Sequence, residues 1–117
     1  MKTVILLFMK GVSMQVFDLK DQKAFPYEQR DKNVFYTSPE FKTRVIELKP
    51  GENIPQCEMK SIVMFYVING EVVIEINSEK AILKEGYCLV SDPGLFAMSS
   101  INGTKLIGIQ VPKKITA

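Results

Sequence analysis

The stretch Pro50-Gly51-Glu52-Asn53-Ile54-Pro55-Gln56-Cys57-Glu58-Met59, continued by Ser61-Ile62-Val63-Met64-Phe65-Tyr66-Val67-Ile68-Asn69-Gly70-Glu71, reads as strand, turn, strand and turn. Pro50 fixes φ and Gly51 supplies a permissive backbone, so the pair closes whatever strand precedes it. Ile62 to Ile68 is an unbroken apolar and aromatic run, and its branched residues favour a strand buried on both sides over a short helix. Asn69-Gly70 suits a type I′ turn because both residues tolerate positive φ, which predicts a hairpin. The second strand of that hairpin, Glu71 to Ile76, alternates: Val72, Ile74 and Ile76 share one face, and Glu71, Val73 and Glu75 the other.

Outward from this centre the same punctuation recurs. Towards the C-terminus, Asn77-Ser78-Glu79-Lys80 turns the chain, Tyr87 to Val90 is a short strand, and Ser91-Asp92-Pro93-Gly94 leads to a strand over Leu95 to Ser100. Asn102-Gly103 is a second Asn-Gly turn, and Lys105 to Val111 is the last strand before Pro112. Towards the N-terminus, Phe41 to Leu48 and Asn33 to Thr37 are strands separated by Ser38-Pro39-Glu40, and Asp31-Lys32-Asn33 is a turn. Phe25-Pro26-Tyr27 suits an edge or irregular strand, because Pro26 cannot donate to a ladder. Gln15 to Leu19 is a further short strand. No stretch carries a 3.6-residue period, so the class is all-β, a sandwich or barrel in a single domain.

With 117 residues the chain fits one core. Hydrophobic residues make up 46% and charged residues 24%, the composition of a globular protein. The net charge is +2 and the basic residues are scattered, with Lys113-Lys114 the one adjacent pair, which argues against nucleic acid as a partner. Cys57 and Cys88 form no CxxC pattern, so reduced thiols and a cytoplasmic location are expected. There is no histidine, which removes the usual general base, the usual partner of a nucleophilic Ser or Cys, and the commonest metal ligand. Val4 to Met9 is too short to span a bilayer and short for a signal peptide, so no membrane partner is expected. Residues 1–13 are expected to be an N-terminal extension or edge strand, and 14–117 the barrel domain; Met14 could itself be a start.

The spacing from Gly51 to Gly70 resembles the first motif of the cupin superfamily, which runs glycine, five residues, histidine, one, histidine, three or four, glutamate, six, glycine. Cys57 and Met59 fall on its two histidines and Val63 on its glutamate. The second motif, anchored on Gly86 and Gly94, puts Ala97 at its histidine with Asp92 at its proline; taking Pro93 as that proline moves the ligand position to Met98. Over residues 41 to 111 the resemblance implies a double-stranded β-helix (jelly-roll) barrel, commonly paired as a homodimer, with an interior pocket. It does not carry the metal, because Val63 and Ala97 offer no donor, so no metal and no cofactor are expected.

The expected function is therefore a metal-independent barrel that binds a small molecule in its interior or serves as a structural homodimer. The degenerate positions Cys57, Met59, Val63, Ala97 and Met98 would line the interior, and Arg44, Tyr66 or Tyr87 would supply polar contacts. An ordered Val4 to Met9 would pack on a sheet edge, its own or a partner's. One alternative is a small isomerase- or epimerase-like enzyme acting on a sugar or keto-acid, with Glu58 or Tyr66 as acid–base group, although Glu58 lacks the parity to share a pocket with Cys57. The other is a Cu(I) site of Cys57, Met59, Met98 and Cys88, against which stands the use of methionine and free cysteine as core filler. No catalytic residue is assigned.

Overall fold

The computed structural model describes residues 4–9 and 12–113. Ten strands and one 3-10 helix follow in the order β1 (Val4–Met9), β2 (Val12–Phe17), the helix (Tyr27–Asn33), β3 (Val34–Thr37), β4 (Lys42–Leu48), β5 (Asn53–Met59), β6 (Ser61–Ile76), β7 (Glu79–Lys84), β8 (Cys88–Ser91), β9 (Gly94–Ser99) and β10 (Thr104–Pro112). Every pairing is antiparallel: β1 and β2 form a two-stranded ribbon, and the other eight strands one curled sheet that doubles back on itself as an all-β jelly-roll barrel. One wall has the order β3-β4-β10-β6-β8 and the other β7-β6-β9-β5, so β6 belongs to both.

That sharing corrects the expected hairpin at Asn69-Gly70. The chain runs straight through: Asn69 pairs with Lys105 and Gly70 with Thr104, both on β10. A bulge leaves Ile68 without a partner between Val67↔Leu106 and Asn69↔Lys105. One extra residue reverses side-chain parity. Val63, Phe65 and Val67 before it, and Val72 and Ile74 after it, can therefore all be buried in one core. A tight hairpin would have folded the two halves onto each other instead of giving one to each wall. Gly70 still uses positive φ (79°), but to bend the strand: a Cβ there would lie 2.2 Å from the carbonyl oxygen of Gly103.

The two-residue turn comes instead at Asn77-Ser78, with φ of 50° and 72°, between Ile76 and its partner Glu79. Two successive positive φ values match the twist of a type I′ hairpin. Pro50-Gly51 turns as expected, with Gly51 at φ 81° and Glu52 N donating to Lys49 O at 2.9 Å. Residues 25–27 form no strand; the chain enters the 3-10 helix there, with Pro26 at its N-cap and Gln29 N donating to Pro26 O. Val4–Met9 is a strand, paired with β2 of its own chain and not with an edge of the larger sheet, so this ribbon straddles residues 13 and 14.

The core joins both walls. Val63, Phe65, Val67 and Leu106 from one meet Val72, Ile74, Leu83, Phe96 and Met98 from the other, and the Phe65 and Phe96 rings meet edge-on at 6.0 Å. Each such side chain taken from water stabilises the fold by about 1.5–3 kcal/mol. Replacing Gly70 with alanine should cost about 1–3 kcal/mol from the positive φ alone, plus the displacement of the Gly103 carbonyl. Gly51→Ala has the same φ strain but meets nothing within 4 Å. In urea denaturation Gly70→Ala should be the less stable of the two, and equal losses would contradict the bend.

Candidate functional site

Beside that core the walls leave a cavity of about 370 Å³, within the range of small-molecule sites. Its strands come from both walls: β4 brings Arg44 and Ile46, β5 brings Ile54, Cys57 and Met59, β9 brings Met98, and β10 brings Gly108 and Gln110. β5 can offer three inward residues because a second bulge separates Ile54↔Met98 from Cys57↔Phe96. The extra residue falls at Pro55-Gln56, where a proline is tolerated. Ile54, Cys57 and Met59 are each half-buried while their neighbours are exposed.

Strand register also settles the one-residue ambiguity in the second motif. Met98 pairs with Ile74 and Phe96 with Ile76, both on the inner face, whereas Ala97 pairs with Glu75 on the outer one. Met98 is 7% exposed and packs in the core; Ala97 borders the cavity although its Cβ has the outward parity. Val63 is 1% exposed within the core and outside the cavity lining. Tyr66 and Tyr87 are exposed and also outside the lining, and Arg44 is inside it. Cys88 is exposed on β8, apart from Cys57, Met59 and Met98, which share the cavity.

These residues do not fit the divalent ion that the first motif usually holds. Val63 is hydrocarbon, Met98 a thioether, and the Met59 sulfur is contacted by the Gln110 amide. Among the described residues no three of His, Cys, Asp and Glu gather closely enough to ligate a metal. A hard or borderline cation needs imidazole or carboxylate donors.

Charge at the cavity is distributed unevenly. Glu52 is exposed and accepts from the Lys49 backbone N–H at 2.6 Å, and Glu58, with its side chain 65% exposed, lies 3.9 Å from Lys60. Arg44 is half-buried on the inner face, opposite Gly108 on β10. Its Nε is buried with no hydrogen-bond partner, and one terminal nitrogen reaches Gln110 Oε1 at a long 3.5 Å. Burial lowers the proton affinity of this guanidinium below its ordinary value; the charge of Asp31 acts the other way, and that of Arg30 adds to the lowering.

The mouth is completed by a segment that the sequence did not mark. Phe25, Pro26, Tyr27, Arg30 and Asn33 all border the cavity. Asn33 is buried and holds the segment in place: its Oδ1 accepts from Phe25 N at 2.6 Å and its Nδ2 donates to Phe25 O at 3.0 Å, imitating a strand ladder. Arg30 donates to Tyr27 O and stacks 4.2 Å over the Tyr27 ring. These residues precede the family-like stretch and carry no motif. Strand parity could have found Ile46, two residues from Arg44, Phe65, two from Val63, and Gln110, which shares a face with Leu106 and Gly108.

The fold is similar to that of several solved structures. A cupin superfamily protein from Desulfitobacterium hafniense DCB-2 matches with a TM-score of 0.63 and 17% identity, over 68% of this chain and 74% of that one. The cupin domain of Schizosaccharomyces pombe Cnp3 matches at 0.71 and 13% identity, over 97% and 83% respectively. The EutQ protein of Clostridium difficile matches at 0.70 and 17% identity, over 93% and 94%. Neither a protein-family model nor a curated protein matches the sequence.

Proposed function

For a small cupin-type barrel whose motif positions hold sulfur and hydrocarbon, we propose metal-independent binding of a small, partly apolar organic molecule in the barrel interior. The observation that carries this is the cavity itself: about 370 Å³ walled by Ile46, Ile54, Cys57, Met59, Phe65 and Phe96. Apolar walls with a few convergent polar groups, here Arg44 and Gln110, are what such sites present. The carboxylates that border the cavity, Glu47, Glu52 and Glu58, are all exposed, which favours binding over acid–base catalysis. The neutral fluorophore N-phenyl-1-naphthylamine should bind with one-to-one saturation, and the plugging variants Cys57→Phe and Ile54→Phe should abolish its signal while remaining folded by circular dichroism. Absence of saturable binding, or binding that both plugs leave intact, would refute the interior site.

The same protein is proposed to act as a homodimer through the outer face of the first wall. On its exposed part, Ile107-Tyr66-Cys88 and Ile109-Met64-Val90 carry no charged residue, and Tyr66 and Val90 are 44% and 67% exposed; Val45 and Thr43, which continue these rows, are already buried within the protomer. An uncharged patch ending on the edge strand β8 suits a self-complementary two-fold contact. Sedimentation equilibrium should give a dimer for the natural protein and a monomer for Val90→Lys combined with Tyr66→Lys; a monomeric natural protein would count against it.

A further inference from the structure

Resting on the interior binding site proposed above, we infer that the cavity selects a molecule with a single carboxylate on an apolar body, and that Arg44 is the group that selects it. Three observations converge. The guanidinium is half-buried on the inner wall, and its Nε is both buried and without a hydrogen-bond partner. Among the described residues neither Arg44 nor Arg30 has a carboxylate within ion-pair distance; the two ion pairs present are Lys60–Glu58 and Lys113–Asp92. Ile46, Ile54, Met59, Phe65 and Phe96 supply the apolar lining, alongside the exposed Glu47, Glu52 and Glu58, and Gly108, paired with Arg44 and Phe65, lets the Phe65 ring and the Ile46 side chain lie close to its strand.

A half-buried cation whose opposing charge, Asp31, lies beyond ion-pair distance is costly to the protein, and an anion entering the cavity offsets that cost. The guanidinium fork matches a planar carboxylate through two parallel N–H donors; its Nε–H is unpaired but buried, so a bidentate contact requires the side chain to turn towards the cavity. Gln110, contacting both Arg44 and Met59, holds the arginine against β10. A phosphate dianion fits less well: one inward guanidinium supplies a single balancing charge, while Arg30 is exposed at the mouth and committed to Tyr27. The cavity volume, about a dozen times the share of one liquid water, leaves room for a ring or short chain behind the carboxylate.

The test compares benzoate with benzamide, which share shape and differ in charge, by the rise each gives in the thermal midpoint at neutral pH and low salt. Benzoate should bind about tenfold tighter, the gain expected for a charge-assisted contact. Arg44→Met should remove that preference, and Lys84→Gln, at an exposed position of β7 outside the cavity lining, should keep it. The inference is overturned if the two ligands stabilise equally, if neither does, or if the preference survives Arg44→Met. Because the acid–amide comparison uses the natural protein, it holds even where the Arg44 variant folds poorly. Continued binding of the neutral fluorophore alongside a failed comparison would show that the charge selection is wrong and the interior site is not.

Discussion

The barrel depends on one backbone contact, the close approach of Gly70 to the Gly103 carbonyl where β6 bends from one wall into the other. Hydrogen bonds lock the surrounding turns to it. Ser100 Oγ donates to Glu71 O at 2.6 Å and accepts from Gly103 N at 2.9 Å, and Thr104 Oγ1 donates to Asn69 O. The backbone of Ser100 also pairs with Gly51 and Glu52, so the Pro50-Gly51 turn is tied to the same point. Ser100 and Thr104 are buried, and their hydroxyls satisfy carbonyls that the bend would otherwise leave unpaired.

From this bend follow the core and the cavity. Because β6 changes walls with a change of parity, its inward residues form a continuous apolar floor, and Phe65 and Phe96 close the gap between the walls. Phe65, Phe96, Leu48 and Met98 serve both the core and the cavity lining. The upper part of the barrel is then built from residues without a strong packing obligation: Cys57 and Met59 on a bulged strand, Gly108 with no side chain, and the 25–33 segment held by Asn33.

Much of the fold was legible because turn chemistry is local. Pro50-Gly51 and the strands on either side of it follow from backbone preferences that act over a few residues. Asn69-Gly70 misled for a physical reason: positive φ is a property of the residue, but whether it closes a hairpin or bends a strand depends on the pairing with β10, more than thirty residues away. The site was legible in part. Cys57, Met59, Met98 and Arg44 follow from spacing and parity, whereas Tyr27, Arg30 and Asn33 reach the cavity through tertiary packing that leaves no period in the sequence. The choice between Ala97 and Met98 needed the register with β6.

The proposed recognition element is the half-buried Arg44 guanidinium, which has no carboxylate within ion-pair distance. Nuclear magnetic resonance of the Arg44 Nε–Hε group, followed through a benzoate titration, tests it most directly. This resonance should move saturably with benzoate, together with the backbone amides of Cys57, Met98 and Gly108, and stay in place with benzamide. An Arg44 resonance that does not respond while benzoate shifts collect on the outer face around Tyr66 and Val90 would contradict it.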